Sequence, residues 1–241
     1  MLWCLHGFLG RGADWEALRA GWEPDLPALR TPNLFTDPPQ HESLAEFGAR
    51  FAHEVAQVDA APAILGYSLG GRLALHALVA RPEQWKAAIV VSAHLGMLDA
   101  AERATRVADD ARWADRFRTG LWAAVIEDWN ARPVFGGRPS APPRPQSAYD
   151  REALAAALTT WSLGRQERLE ARLSDLAMPI LWIAGEQDER FVAEGERARK
   201  ACRTVELSVA PGAVHRVPWE TPEWFAHEVA GFLRRHHVVS S

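Results

Sequence analysis

The feature that most constrains the fold is a serine flanked by glycines between an apolar run and an amphipathic segment. The run Ala63–Leu65 leads into Gly66-Tyr67-Ser68-Leu69-Gly70, and Leu69–Ala80 then follows a helical pattern. G-x-S-x-G between a strand and a helix predicts a sharp turn that exposes the serine hydroxyl, because the glycines let both elements approach closely. Outside such a context the pattern would be an ordinary glycine-rich connection. We therefore expect Ser68 to act as a nucleophile or as a base.

The rest of the chain alternates between short apolar runs and longer periodic stretches. We predict strands at Leu2–Leu5, Ala63–Leu65, Ala87–Val91, Ile180–Ala184 and Val205–Val209. We predict helices at Ser43–Val58, Leu69–Ala80, Phe191–Cys202 and Pro222–Arg235. This alternation is typical of an α/β protein with a mostly parallel, doubly wound sheet.

The alternation stops between Ser92 and Pro179. A helix-like stretch rich in Arg, Asp, Ala and Trp runs to Trp129, and four prolines follow within residues 138–145. Proline at that density excludes a helix or strand interior. We therefore predict a helical cap at residues 97–175, inserted into one core that residues 1–96 and 176–241 form together.

Two further segments fit the chemistry of an activated serine. His6-Gly7-Phe8-Leu9-Gly10 follows the first predicted strand, so the backbone N–H groups of Phe8 and Leu69 are the expected oxyanion donors. The alternative for this loop is an ordinary tight turn. Asp188 follows a predicted strand and is the expected carboxylate partner of a catalytic histidine. The alternative is that Asp188 is the N-cap of the next helix, and Glu186 is a competing candidate for the carboxylate.

His215 follows the last predicted strand and completes the order serine, aspartate, histidine that the α/β-hydrolase fold uses. With nine histidines in the chain, a surface histidine is the alternative. In the predicted triad, His215 takes a proton from Ser68, and Asp188 fixes the imidazole tautomer and stabilises its cationic form. Activity should then fall as the pH drops through the imidazole range.

Composition narrows the class of partner. The chain has 241 residues, 48% of them hydrophobic, a formal charge of -4 and a pI of about 6.1. That charge gives no basic field for nucleic acid or an anionic membrane, so we expect a small-molecule partner. Two cysteines predict neither a disulfide framework nor a paired-cysteine metal site, and no apolar run reaches transmembrane length. We expect a cytoplasmic enzyme, monomeric or homo-oligomeric.

Several motifs carry a resemblance to a known family. They are Leu5-His6-Gly7-Phe8-Leu9-Gly10, Gly66-Tyr67-Ser68-Leu69-Gly70-Gly71-Arg72, Arg103, Arg106, Asp110, Trp113, Phe117, Asp128-Trp129, Pro133-Val134-Phe135, Ser162-Leu163-Gly164-Arg165-Gln166 and Gly185-Glu186-Gln187-Asp188-Glu189-Arg190-Phe191. Over most of its length the chain resembles the 2-succinyl-6-hydroxy-2,4-cyclohexadiene-1-carboxylate (SHCHC) synthases of menaquinone biosynthesis, known as MenH, within the α/β-hydrolase superfamily. The motifs in the predicted cap are the specific ones, since the whole superfamily shares the serine turn.

The resemblance implies a carbon–oxygen lyase that needs no metal or organic cofactor. Its reaction eliminates pyruvate from 2-succinyl-5-enolpyruvyl-6-hydroxy-3-cyclohexene-1-carboxylate (SEPHCHC), and abstraction of a ring proton by activated Ser68 starts it. The resemblance places Tyr67, Arg72, Arg106 and Trp129 in the substrate site. Arginines suit this polycarboxylate because a guanidinium binds a carboxylate in bidentate fashion.

The resemblance leaves one substrate residue and one alternative function open. The family pattern has another cap arginine before Ser162-Leu163, and the nearest candidates, Arg144 and Arg151, both lie out of register. The same triad without the arginine match would fit a serine carboxylesterase acting on a small ester that bears a carboxylate. A non-catalytic relative that binds a ligand is a third class, which the complete set of serine, aspartate and histidine disfavours.

Overall fold

A computed structural model describes residues 1–19, 21–22, 26–35, 42–138 and 142–238. The strands of these residues form a single parallel sheet of six strands in the order β2-β1-β3-β4-β5-β6. Their bounds are β1 Leu2–Leu5, β2 Leu29–Arg30, β3 Ala63–Tyr67, β4 Ala87–Val91, β5 Ile180–Gly185 and β6 Val205–Ala210. The predicted α/β class, with a parallel sheet and flanking helices, is confirmed.

Helices connect and cover the strands. They are α1 Gly12–Arg19, α2 Leu44–Val58, α3 Leu69–Ala80, α4 Ala100–Thr119, α5 Trp122–Asn130, α6 Arg151–Thr160, α7 Glu170–Leu173, α8 Glu189–Ala201, α9 Val217–Glu220 and α10 Pro222–Arg235. Single 3-10 turns occur at Pro82–Gln84, Pro133–Phe135, Gln146–Ala148 and Leu163–Arg165. Two residues of β3 indicate how the sheet is covered, since Ile64 packs into one apolar cluster and Leu65 into another. Burial on both faces explains why the central strands have continuous apolar sequences.

Most predicted elements are present, with shifted ends. Ser43, predicted as the first residue of a helix, is instead the N-cap of α2, and its side chain and that of Glu46 form a reciprocal capping box. Helix α8 begins at Glu189 rather than at Phe191. The helix-like stretch that was predicted to run to Trp129 is two helices, because the chain is extended at Gly120 and Leu121.

Helices α4 to α7 lie between β4 and β5, where the sequence predicts the cap. Helix α4 packs closely on the turn at Leu163–Arg165, where a Cβ on Gly164 would lie 2.3 Å from the carbonyl oxygen of Arg103. Of the proline-rich segment, residues 139–141 lie outside the described residues. The cap boundaries at residues 97 and 175 remain predictions.

Candidate active site

Ser68 lies in a strained turn between β3 and α3. Its backbone has φ 53° and ψ -110°, a combination that costs energy for a residue with a side chain. The flanking glycines permit this turn: a Cβ on Gly66 would lie 2.4 Å from the carbonyl oxygen of Gly70, and one on Gly70 would lie 2.2 Å from that of Leu5. The predicted strand–serine–helix turn is therefore present, and only glycine fits at either flank.

The turn brings Ser68 to the two other residues of the predicted triad. The Ser68 hydroxyl donates to His215 Nε2 at 3.1 Å, and His215 Nδ1 donates to Asp188 Oδ2 at 2.8 Å. His215 and Asp188 are buried, with 4% and 8% of their surface exposed. Burial keeps water from competing for the hydrogen bond between them. This is the geometry in which an imidazole can take the serine proton while a carboxylate fixes its tautomer.

The alternatives considered for Asp188 do not match this geometry. Asp188 occupies the N-cap position of α8, but its side chain makes no capping hydrogen bond. Glu186 is exposed, and its carboxylate accepts the backbone N–H of Gly212 at 2.9 Å. Glu186 therefore supports the turn that precedes the His215 loop, whereas Asp188 contacts the imidazole.

A carboxylate that the sequence analysis missed holds the His215 loop. Glu220, at the end of α9, accepts the backbone N–H of Val214 at 2.6 Å and that of Arg216 at 3.0 Å. Arg138 bonds both to Glu220 (3.1 Å) and to the Gly212 carbonyl oxygen (2.8 Å). No sequence signal distinguishes Glu220 from other helix-end glutamates, since its role depends on the path of the loop.

The predicted oxyanion donors lie beside Ser68. Phe8 and Leu69 both line the pocket into which Ser68 opens. Leu69 is the first residue of α3, and N–H groups of a first helical turn have no acceptor within the helix. The Leu69 amide also lies at the positive end of the helix dipole, which favours negative charge nearby.

His6 fastens the loop that carries Phe8. Its Nδ1 donates to the Gly7 carbonyl oxygen at 2.9 Å, and its Nε2 accepts the Leu34 N–H at 3.0 Å. Burial lowers the pKa of His6 to about 4, so the ring is neutral near pH 7 and keeps an acceptor for Leu34. His6 therefore fixes the loop rather than taking part in proton transfer.

A basic pocket adjoins Ser68. Of the predicted substrate residues, Arg72, Arg106 and Trp129 line it; Tyr67 does not, and instead lines a neighbouring pocket that also reaches Ser68. Two further arginines that were not predicted, Arg132 and Arg190, contribute to the basic pocket. Arg132 directly precedes the quoted motif Pro133-Val134-Phe135, and Arg190 lies within the quoted motif that contains Asp188, where no role was predicted for it.

Arg72 and Arg106 are held by different kinds of partner. Arg72 is buried and donates to two neutral acceptors, the Trp161 carbonyl oxygen at 2.9 Å and Gln166 Oε1 at 3.2 Å. Burial lowers the pKa of Arg72 to about 9, which leaves it a cation at neutral pH without a carboxylate bonded to it in the described chain. Such an uncompensated buried cation attracts an anionic ligand.

Asp110 holds Arg106. Arg106 Nε lies 2.9 Å from both carboxylate oxygens of Asp110. Asp110 is almost fully buried and also accepts the Ser162 hydroxyl at 2.7 Å. This network fixes the direction in which Arg106 faces the pocket.

Trp129, which the resemblance places in the substrate site, also packs among other aromatic side chains. It lines the pocket, and its ring also lies 4.8 Å from Phe8 and 5.0 Å from Trp113, centroid to centroid. The Arg132 guanidinium lies 4.4 Å from the centre of the same ring. Trp129 is thus both part of the aromatic core of the insertion and a wall of the site.

The two candidates for the unmatched cap arginine occupy different places. Arg144 lines the neighbouring pocket with Tyr67 and Ser68, and it forms a buried ion pair with Asp14 at 2.8 Å. Arg151 donates to the carbonyl oxygens of Phe117 and Gly120 at the end of α4. Arg144 therefore faces the site, whereas Arg151 caps a helix.

The residues that the structure describes form neither a metal-binding cluster nor a membrane-spanning helix. Within those ranges, no group of three or more His, Cys, Asp and Glu side chains could hold a metal ion. No helix there is long and apolar enough to cross a membrane. Both described cysteines, Cys4 and Cys202, are free and buried.

Comparison with known proteins identifies the relatives of this chain. The model of the alpha/beta hydrolase family matches residues 4–228. The SHCHC synthase of Serratia proteamaculans is 34% identical, covering 97% of this chain and 92% of that enzyme, and the synthase of Pectobacterium atrosepticum is 33% identical, covering 95% and 92%. The solved structure of MenH from S. aureus superimposes with a TM-score of 0.86 at 22% identity, covering 98% of this chain and 94% of that one.

These matches extend over nearly the whole chain and confirm the resemblance that the sequence motifs carry. The chain belongs to the 2-succinyl-6-hydroxy-2,4-cyclohexadiene-1-carboxylate synthase family of the α/β hydrolases.

Proposed function

We propose that this enzyme is a carbon–oxygen lyase that eliminates pyruvate from SEPHCHC to give SHCHC, a step of menaquinone biosynthesis. One observation carries the proposal: the Ser68–His215–Asp188 hydrogen-bond chain opens into a pocket whose lining, among the described residues, has four arginines and one carboxylate, Asp110. An activated serine supplies a base, and the arginines suit a substrate with several carboxylates.

In the proposed reaction, His215 accepts the Ser68 hydroxyl proton while Ser68 Oγ takes a proton from the substrate ring. The electron pair of the broken C–H bond forms a ring double bond and expels the enolpyruvyl oxygen, so the C–O bond breaks. The leaving enolate then takes a proton at carbon and becomes pyruvate. The ring loses one proton to His215 through Ser68, and the proton that His215 then gives up matches the one that the enolate carbon gains. This chemistry requires neither a metal nor a redox cofactor.

The other site residues bind the substrate and stabilise negative charge on it. Arg72 and Arg106 bind substrate carboxylates, and Trp129 and Tyr67 form the walls against the ring. The Phe8 and Leu69 N–H groups stabilise negative charge on a substrate oxygen beside Ser68. We assign the unmatched cap arginine to Arg144, because it reaches the pocket that Tyr67 and Ser68 share, at a position supported by Asp14.

Helices α4 to α7 would act as the cap, with boundaries at residues 97 and 175, because they supply Arg106, Asp110 and Trp129 to a site whose triad lies on the sheet. A cytoplasmic location and the absence of nucleic-acid or membrane partners stay predictions from composition.

The same triad would also support attack of Ser68 on an ester carbonyl, which is the second candidate function. In that case Ser68 would form an acyl-enzyme, whereas the elimination leaves Ser68 unmodified. The arginine lining favours a carboxylate-bearing substrate in both cases, so the arginines alone do not separate the two reactions.

The test is pyruvate release from SEPHCHC generated in place, coupled to lactate dehydrogenase, run beside hydrolysis of a p-nitrophenyl ester by the same enzyme preparation. The lyase proposal predicts rapid pyruvate release and slow ester turnover. Absence of pyruvate release together with rapid, Ser68-dependent ester hydrolysis would replace the lyase with the esterase.

A further inference from the structure

The basic pocket beside Ser68 adjoins a larger cavity of about 920 Å³, whose lining includes none of the three triad residues. Four residues line both spaces, and we call them the neck residues: His94, Arg106, Arg132 and Arg190. A small molecule that passes between the two spaces must therefore pass three guanidinium groups.

Arg132 and Arg190 differ from Arg106 in their partners. Among the described residues, Arg132 makes no ion pair, and its guanidinium stacks over Trp129 at 4.4 Å and lies 5.7 Å from the centre of the Trp113 ring. Arg190 Nη2 lies 3.5 Å from His94 Nε2 without donating to it, because His94 Nδ1 accepts the Gly96 N–H and the proton of the neutral ring is therefore on Nε2. Both cations are thus positioned at the neck while their donors stay available.

The acidic residues of the larger cavity do not neutralise these two arginines. Asp99 caps α4 by accepting the Glu102 N–H, and Asp109 pairs with Arg112. Glu194 accepts the Leu95 N–H and pairs with Arg197. Asp99, Asp109 and Glu194 therefore each have a partner other than the neck arginines, and Glu102, the fourth carboxylate of this lining, forms no ion pair with Arg132 or Arg190 in the described structure.

Stacking on tryptophan also keeps Arg132 in a defined orientation. A planar guanidinium that stacks on an aromatic face presents its N–H donors at its edge, and those donors match the two oxygens of a carboxylate. His94 adds no charge of its own to the neck, because burial lowers its pKa to about 3 and the ring is neutral near pH 7. The neck therefore combines two arginines that have no ion-pair partner in the described structure, Arg132 and Arg190, with a third, Arg106, that Asp110 holds.

We propose that Arg132 and Arg190 form a second carboxylate-binding site at the neck, which binds the substrate carboxylate that is farther from Ser68. This inference rests on the proposed function, and it adds that the enzyme distinguishes polycarboxylates from monocarboxylates at the neck. Arg72 and Arg106 then bind the carboxylates nearer the reacting carbon.

The kinetic test replaces each neck arginine by glutamine, as Arg132→Gln and Arg190→Gln. The matched control is Arg199→Gln, which removes the same charge from an exposed position on α8, the helix that also carries Arg190. We expect KM for SEPHCHC to rise at least tenfold in each neck variant with kcat within threefold of wild type, and no change in the control. Values of KM in both neck variants within twofold of wild type would overturn the proposal.

A binding test separates this inference from the proposed function. Succinate titrated into the enzyme should change the fluorescence of Trp129 and Trp113, which stack with Arg132. Arg132→Gln and Arg190→Gln should weaken succinate binding at least tenfold, and Arg199→Gln should not weaken it. Equal succinate binding by wild type and both neck variants would overturn the neck site even if pyruvate is released. Absence of pyruvate release with neck-dependent succinate binding would overturn the lyase function alone.

Discussion

Glu220 holds His215 in place through the backbone rather than through the imidazole. Its carboxylate accepts the N–H groups of Val214 and Arg216, the neighbours of His215 on either side. The loop after β6 is also held by the ion pair between Glu220 and Arg138, by Glu186 at Gly212 and by the hydrogen bond from the Gln187 N–H to the Ala213 carbonyl oxygen. The alignment of the imidazole with Ser68 therefore depends on a residue that does not touch it.

Glu220→Gln should lower kcat about tenfold with KM little changed, because one of the two backbone N–H groups loses its acceptor and the loop shifts by a fraction of an ångström. The free energy of unfolding should fall by about 1–3 kcal/mol, since a part-buried donor is left unpaired. Steady-state kinetics and urea unfolding measure both effects. Glu223→Gln, an exposed change on α10, is the control, and equal kcat in the two variants would show that Glu220 does not position His215.

Asp188→Asn should reduce kcat roughly 10⁴-fold, because an amide in this position favours the wrong imidazole tautomer. Glu186→Gln should retain kcat within about threefold, because the glutamine oxygen can still accept the Gly212 N–H. Kinetics of the two variants compare the two carboxylates directly. The reverse ranking would assign the triad carboxylate to Glu186.

Asp110→Asn should raise KM about tenfold and leave kcat close to that of wild type. The change removes the charge that holds Arg106 Nε but preserves the shape around the Ser162 hydroxyl. Asp115→Asn on the same helix is the control, because Asp115 is exposed and pairs with Arg118. A fall in kcat at unchanged KM would mean that Arg106 acts in the chemical step instead of in binding.

Stability should fall as the pH drops below about 6.5, before most carboxylates titrate. Burial lowers the pKa of His6 to about 4 and the pKa of His76 and His94 to about 3. Between these values and 6.5 the unfolded chain binds protons that the folded chain does not, so the free energy of unfolding decreases as pH falls. Each histidine should lower the free energy of unfolding by on the order of 2 kcal/mol between pH 7 and pH 5.

Urea unfolding at pH 7 and pH 5 measures this loss. His76 is the most informative of the three, because both of its ring nitrogens are buried without a hydrogen-bond partner in the described structure. The free energy of unfolding should therefore differ less between pH 7 and pH 5 in His76→Leu than in wild type. The expected reduction is the contribution of one histidine, on the order of 2 kcal/mol. His227→Gln, at an exposed position, should leave the difference as it is in wild type. Equal pH dependence in wild type and His76→Leu would contradict the assignment.

The sequence predicts the parts of the site that depend on local structure. The turn at Ser68 follows from two glycines and a serine at fixed spacing, and the order of Asp188 and His215 after their strands follows from the parallel sheet. Strand β2 is only Leu29–Arg30 and is not fully buried, so it has no apolar run to reveal it. Its pairing with β1 depends on the sheet rather than on its own sequence.

Residues whose role depends on distant neighbours could not be predicted in this way. Glu220 acts on a loop whose path is set by the fold, and Arg132 faces the pocket because it stacks on Trp129. Both residue types are common on surfaces, where they carry no signal. The only indication for Arg132 was its position beside a motif, and the only indication for Arg190 was its presence in a motif that gave it no role.

The role of Ser68 as the base is tested by comparing the rate of pyruvate release from SEPHCHC in Ser68→Ala and in wild type. Urea unfolding should first show that the two proteins are equally stable. We expect the rate of pyruvate release to be at least about 10³-fold lower in Ser68→Ala, because the alanine variant has no group to take the ring proton. Pyruvate release within tenfold of wild type would contradict the role of Ser68 and with it the proposed mechanism.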